Sequence, residues 1–249
     1  MRVVIGTLGV EQVREAIWDW SNPHALLVGA TGAGKSYAAG IIIKAASQEA
    51  QVLVIDGKGG PDYLDLPSDA LALGADESVL LMEEAAAEVD RRMAVMRDRR
   101  SRVAGDPPLL VVVDEAAAIQ VRQRGDTAAG ARDRSERFAS SLATVALLGR
   151  AADVHLLVLL QRPDVSFVPG AVRDQFTLRI CLGYMSPDGL RMIMDANDVE
   201  PPPAGLKGHG WIRGAAETAG KPEYLVVGAE PRTRQPPNAL LSFFRRAGE

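Results

Sequence analysis

Three features of the chain predict an α/β fold with a largely parallel central sheet flanked by helices. Short apolar runs recur along it, helix-patterned stretches separate them, and Pro- and Gly-rich breakers mark the joints. Runs this uniformly apolar belong to strands buried on both faces, the pattern of parallel sheets.

The first run, Ala25-Leu26-Leu27-Val28, leads into a glycine-rich loop, and the stretch at about 35–48 leaves that loop as a helix. Val52 to Ile55 is the next strand. A long helix is expected over about 78–103, then Asp106-Pro107-Pro108 and the strand Leu109 to Val113. Residues 118–134 carry no periodicity and read as a long loop rich in Ala, Gly and Arg. Helix 135–152, strand Leu156 to Leu160, strand Leu178 to Leu182 and helix 186–195 follow. Two shorter extended pieces, Gly210 to Arg213 and Tyr224 to Val227, precede a terminal helix near Asn238 to Arg246. The simplest division is one domain over 1–249, with 229–249 as a helical tail.

The loop after the first strand is Gly29-Ala30-Thr31-Gly32-Ala33-Gly34-Lys35-Ser36, which satisfies G-x-x-x-x-G-K-[ST] at every fixed position. Glycines let successive backbone N–H groups turn toward phosphates, Lys35 adds charge at the β/γ end, and the Ser36 hydroxyl can hold Mg²⁺. A helix that starts at this point adds its dipole to the anion site. Strand, loop and helix come in the required order, so the chain is expected to bind a nucleoside triphosphate.

The strand Leu109 to Val113 ends in Asp114-Glu115. A carboxylate at that strand end can enter the Mg²⁺ shell, which suits Asp114. The adjacent Glu115 can polarise a water for attack on the γ-phosphate; alternatively the pair caps the helix Ala116-Ala117-Ala118. Gln161 closes the strand Leu156 to Leu160, where it either faces the γ-phosphate and orients water or bonds backbone groups.

Composition bounds the rest. The 249 residues are 47% hydrophobic and 24% charged, in the range of an ordinary soluble protein. No stretch approaches a membrane span, and the N-terminus lacks a signal-peptide layout, which predicts a cytosolic protein. The lone Cys181 sits in an apolar run and reads as core; His24, His155 and His209 have no metal-ligand spacing. A net charge of −4 argues against a surface that coats nucleic acid throughout, while leaving room for a local basic channel. Arginines crowd two places, Arg91 to Arg102 and Arg122 to Arg137. The first cluster reads as a solvated helix face.

Taken as an ordered set, the motifs resemble the motor domain of the FtsK/SpoIIIE family, within the HerA/FtsK group of P-loop ATPases. The resemblance spans about residues 3 to 228. It is carried by Pro23 to Val28, Val54-Ile55-Asp56-Gly57-Lys58-Gly59, Asp90-Arg91-Arg92-Met93 and Val113-Asp114-Glu115. Arg150 to Leu156 running into Gln161-Arg162-Pro163, Ser186 to Asp195 and Gly208-His209-Gly210 complete it. The resemblance implies a RecA-like fold, ATP as the nucleotide, a hexameric ring, and ATP-driven translocation of double-stranded DNA. It further implies that a neighbouring subunit supplies an arginine to the nucleotide. Arg191, in the segment from Ser186 to Ile193, is the first choice for that role and Arg179 the second; either could instead serve an ion pair within the chain.

In a ring, the 118–134 loop would line the channel. Arg122, Arg124, Arg132 and Arg134 are then the expected DNA contacts, acting on backbone phosphates without sequence preference. Arg122 to Arg137 holds five arginines against three carboxylates, a net charge of +2 per copy. A surface loop with internally paired charges is the alternative.

The chain also departs from the family pattern. Gly57 stands where the family carries proline, the arginine-rich stretch after Glu115 is longer, and no winged-helix DNA reader is recognisable. A motor of a plasmid, integrative element or phage DNA-transfer system fits these features, with a partner protein supplying membrane attachment or DNA targeting. The competing reading is a type VII secretion-like ATPase that acts on protein. No Asn-Lys-x-Asp element points to guanine.

Overall fold

The computed structural model describes residues 1–9, 13–101, 105–120, 127–161, 170–202, 205–216, 218 and 220–228. Its strands are β1 (Arg2–Leu8), β2 (Arg14–Asp19), β3 (His24–Gly29), β4 (Gln51–Asp56), β5 (Ala70–Leu73), β6 (Leu109–Asp114), β7 (Val154–Leu160), β8 (Phe176–Leu182), β9 (His209–Arg213) and β10 (Glu223–Val227). The helices are α1 (Lys35–Ala46), α2 (Ala75–Arg99), α3 (Ala116–Gln120), α4 (Ala128–Ala152), α5 (Gly170–Arg173) and α6 (Pro187–Met194).

All ten strands join one sheet in the order β2-β1-β10-β9-β8-β3-β7-β6-β4-β5. From β8 to β5 every neighbouring pair is parallel, and from β8 to β2 every pair is antiparallel. The expected parallel sheet is therefore present, extended by an antiparallel half. β1, β2 and β5 were not expected from the sequence. β1 alternates exposed with buried positions only at its start, where Val4 is an exposed apolar residue, and β5 is the four-residue stretch Ala70-Leu71-Ala72-Leu73, short enough to pass for helix or loop.

The period of two along β6 explains why its run is unbroken. Leu109, Val111 and Val113 face the layer built on α2 and α4 with Met82, Val89, Phe138 and Leu142, whereas Leu110 and Val112 face the α1 layer with Ile42 and Ile43. Each fully buried Leu or Val of this kind contributes about 1.5–3 kcal/mol of transfer free energy.

The expected 118–134 loop is not a loop where the structure is described. α3 already covers Ala116–Gln120, and α4 begins at Ala128 with Thr127 as N-cap, its hydroxyl accepting from the Gly130 N–H at 3.0 Å. Alanines and arginines are strong helix formers, and the threonine cap outweighs the lack of an apolar stripe in the first turns. Residues 121–126 and the expected tail helix over 229–249 lie outside the described residues. No helix among the described residues is long and apolar enough to cross a membrane.

Candidate nucleotide site

β3, β4, β6 and β7 run parallel, so their C-terminal ends gather on one edge of the sheet. Each end delivers a functional group: Gly29 and the loop after β3, Asp56 from β4, Asp114-Glu115 from β6, and Gln161 after β7. Ligands of open α/β sheets bind on this edge. A cavity of about 320 Å³ lies there, lined by Thr31, Lys35, Ser36, Asp56, Asp114 and Gln161 among others.

The loop is tightly wound. Gly34 adopts φ 102°, a left-handed conformation open to glycine, and α1 starts at the next residue. The Ala33 N–H donates to the Ala30 carbonyl at 3.1 Å, and Gly208 N–H donates to the Ala33 carbonyl at 2.9 Å. The Gly208-His209-Gly210 segment, far away in sequence, thus braces the phosphate loop from outside. Lys35 is buried, with its ammonium donating to the Gly29 carbonyl at 2.8 Å and the Ala30 carbonyl at 3.2 Å. Burial lowers its pKa, an effect opposed by the charges of Asp114 and Glu115.

Asp56 is 3% exposed and keeps a turn closed: its carboxylate accepts from the backbone N–H of Lys58 at 3.0 Å and of Gly60 at 2.7 Å. Asp114, opposite it in register, is 8% exposed. Burial pushes the Asp114 carboxyl up, a hydrogen bond from Tyr63 pulls it down, and Asp56 raises it further. Two buried acids at one sheet edge create a demand for positive charge that a divalent cation meets.

Glu115 leaves the strand with φ 54°, left-handed for a non-glycine residue. Its Oε2 accepts from the Gln161 side-chain amide at 2.7 Å and pairs with the Lys58 ammonium at 2.8 Å. The turn after β4 comes close enough to matter: the Gly57 N–H donates to the Asp114 carbonyl at 3.0 Å, and a Cβ at Gly57 would stand 2.7 Å from the Glu115 carbonyl oxygen. Gly29 to Ser36, Asp114 and Gln161 thus gather at one edge, Glu115 with them. Gln161 bonds the Glu115 side-chain carboxylate.

The arginines are dispersed. Arg191 is about half exposed on α6 and pairs with Asp188 of its own helix at 3.4 Å. Arg179 is turned inward, donating to the carbonyls of Phe176 and Ile193 at 3.0 and 3.3 Å. Arg132, on α4, is largely exposed beside Glu136 at 2.6 Å. Arg134 requires a correction: it is 7% exposed on α4, reaches the Ile119 carbonyl at 3.4 Å and pairs with Asp76 at 3.3 Å, and so cannot serve as a loop contact to DNA. Helical phase turns it into the groove between α2 and α4, opposite to Arg132. Arg122 and Arg124 lie outside the described residues.

Three site residues carry no role in the sequence pattern. Asp56 and Lys58 enter only as parts of a motif. Tyr63, which donates to Asp114 Oδ2 at 2.7 Å, belongs to no motif. Its one signal was a lone aromatic inside the turn-rich stretch Gly59 to Pro67.

A parallel sheet with this loop, strand-end acids and a polar residue on the adjacent strand defines a P-loop ATPase. Residues 4–141 match the family described as Helicase HerA, central domain, which is more than half of the chain. The chain belongs to this HerA/FtsK group of P-loop ATPases. Among curated proteins it is 27% identical over 209 residues to the DNA translocase FtsK of Halalkalibacterium halodurans, covering 72% of this chain and 25% of that protein. It is 30% identical over 195 residues to the FtsK domain-containing protein YdcQ of Bacillus subtilis, covering 74% and 38%. The ESX-4 secretion system protein EccC4 of Mycobacterium tuberculosis is 28% identical over 233 residues, covering 81% and 18%. The chain therefore spans well under half the length of these relatives. Among solved structures, the pCW3 conjugation coupling protein TcpA, in its monomer form with ATPγS, superposes with a TM-score of 0.74 at 21% identity, over 91% of this chain and 65% of that one. The cytoplasmic domain of the type VII secretion ATPase EccC of Thermomonospora curvata gives 0.69 at 23% identity, over 91% and 28%.

Proposed function

We propose that this chain is the motor of an ATP-driven double-stranded DNA translocase that works as a hexameric ring in a plasmid, integrative element or phage DNA-transfer system. The observation that carries it is the convergence of Lys35, Ser36, Asp114 and Gln161 on one cavity, with Glu115 hydrogen-bonded to Gln161, in a chain whose curated relatives include proteins named DNA translocases.

The residues fit ATP with Mg²⁺. Among the described residues no cluster of three or more His, Cys, Asp and Glu side chains could hold a metal alone. Ser36 and Asp114 would hold the ion together with phosphate oxygens, the usual way Mg²⁺ is bound. Bound there, it supplies neutralisation of charge on the transferring phosphoryl group. Lys35 places its charge at the β- and γ-phosphates. Glu115 accepts a proton from water as the water oxygen bonds to the γ-phosphorus and the bond to the ADP oxygen breaks. Gln161, hydrogen-bonded to Glu115, holds the base in place and registers the phosphate. Arg191 reaches the nucleotide of the neighbouring subunit; the inward commitment of Arg179 supports that order of choice. DNA phosphates meet Arg122, Arg124 and Arg132. A partner protein supplies membrane attachment or DNA targeting.

The deciding experiment measures ATP turnover with and without linear duplex DNA, together with particle mass in ATP. DNA-stimulated turnover by a six-subunit particle is expected. A solitary chain indifferent to DNA at saturating Mg·ATP overturns the proposal, and stimulation by a secretion-signal peptide in place of DNA favours the EccC-like reading.

A further inference from the structure

Tyr63 is 1% exposed although it lies in a turn and not in a strand or helix. Its ring belongs to the core layer that contains Ile42 and Val54. Core packing accounts for the ring, and phenylalanine would do that as well. It does not account for the hydroxyl, whose burial without a partner costs about 1–3 kcal/mol.

The hydroxyl has a specific partner. It donates to Asp114 Oδ2 at 2.7 Å. Burial pushes the Tyr63 phenol well above its usual value, and the Asp114 charge adds to that. A phenol from the stretch between β4 and β5 thus touches the carboxylate at the end of β6, segments that meet only in the folded chain.

The bond also makes the two Asp114 oxygens unequal. Oδ2 carries the Tyr63 bond, which leaves Oδ1 the more open of the two to a cation or its water. The chain leading to Tyr63 is anchored to the site at Lys58 and Gly60 by the Asp56 carboxylate, and the Leu66 N–H donates to the Tyr63 carbonyl at 3.2 Å. A carboxylate that binds metal is commonly oriented by a hydrogen bond of this kind from outside the metal's own ligands.

We infer that Tyr63 is a positioning residue for the divalent cation: its hydroxyl aims Asp114 at the metal that accompanies the nucleotide. The inference rests on the assignment of Asp114 and Ser36 under Proposed function. Two other roles are open to the same hydroxyl, simple satisfaction of a buried carboxylate and competition with the metal, and they differ in outcome.

The test is Tyr63→Phe, which keeps the ring and removes the hydroxyl. Binding of a fluorescent, non-hydrolysable ATP analogue is titrated with MgCl₂ and repeated in EDTA, so that no turnover enters the readout. The expected result is a Mg²⁺ midpoint raised roughly tenfold, with analogue affinity in EDTA within about twofold of the unsubstituted protein. A midpoint equal to or below that of the unsubstituted protein overturns the inference, the lower value meaning that the hydroxyl competes with the ion. Equal losses with Mg²⁺ and in EDTA also overturn it, since they mark a structural role. If Tyr63→Phe fails to fold, Tyr63→Met, whose flexible side chain fills irregular apolar space, carries the same comparison. If the unsubstituted protein binds the analogue without any response to Mg²⁺, the metal assignment falls and takes this inference with it. A Mg²⁺ response left unmoved by the substitution overturns this inference alone.

Discussion

Gln161 donates its side-chain amide to Glu115 Oε2 at 2.7 Å and so ties the end of β7 to the residue after β6. The same oxygen meets Lys58 at 2.8 Å. Glu115 holds φ 54° in this arrangement, a conformation that costs a non-glycine residue on the order of 1 kcal/mol and is typical of functional sites. Glu115→Gln keeps the shape and the bond capacity but cannot take a proton. Its turnover should fall by about 100-fold or more, with nucleotide affinity changed less than about threefold. Steady-state ATPase and fluorescent-nucleotide binding check this, and retained turnover would remove Glu115 from the role of base.

Gly57 explains its own departure from the family proline. Its N–H donates to the Asp114 carbonyl, and a Cβ there would lie 2.7 Å from the Glu115 carbonyl oxygen and 3.1 Å from Ile119 Cγ1. Gly57→Ala should destabilise by about 1–3 kcal/mol through this overpacking. Gly57→Pro should cost about 1 kcal/mol more, because the hydrogen bond goes as well. Thermal and denaturant unfolding measure both, and Gly57→Pro as stable as the unsubstituted protein would refute the account.

Acid sensitivity should come from His24, at the end of the sheet opposite the nucleotide site. Its Nδ1 accepts the Leu156 N–H at 3.0 Å, and burial, with the charge of nearby His155, lowers its pKa from 6.5 to about 3. The folded state keeps the ring neutral, so the unfolded chain binds the extra proton between these values. Stability present above about pH 6.5 is therefore lost as pH falls toward 3, by up to about 1.4 kcal/mol per unit. His155, which contacts Asp153 at 2.9 Å, neighbours the same spot. His24→Asn retains an acceptor and does not titrate; its denaturation midpoint between pH 7 and 4.5 should decline less steeply. An unchanged slope would place the sensitivity elsewhere.

Arg191 can be separated from the groups that hold the nucleotide within the chain. Arg191→Ala should lower turnover by about 10³-fold or more while leaving ATP affinity largely intact. Mixing it with an excess of Glu115→Gln subunits, which retain Arg191, should restore part of the activity. Loss of nucleotide binding in Arg191→Ala would instead place its role inside its own subunit.

The legible parts of the molecule are local. Gly29 to Ser36 encode their turn through glycines at fixed spacing, and Leu109 to Val113 encode a doubly buried strand through unbroken apolarity; neither needs a distant partner to be recognised. In the antiparallel half, β9 and β10 are legible as extended pieces, whereas β1 and β2 are not, because β2 pairs with β1, β1 pairs with β10 across a long sequence separation, and β1 carries an interior glycine, Gly6, where the β10 backbone approaches closely. Arg134 and Arg132 sit two residues apart in one basic stretch, yet helical phase buries the first against Asp76 and exposes the second. Charge composition cannot distinguish them, since orientation follows from a helix start that Thr127 sets.

The sequence alone determined that this chain cradles phosphates, that two acids end the strand beside the cradle, and that the sheet around them is parallel, because each of these is written in contiguous residues with a period or a fixed spacing. Only the tertiary structure decided that Gln161 and Lys58 share one oxygen of Glu115, that Gly208 braces the phosphate loop, and that Tyr63 reaches Asp114. Those relationships join segments that are far apart along the chain, and their distances exist only once burial on both faces of the sheet has brought the strand ends together.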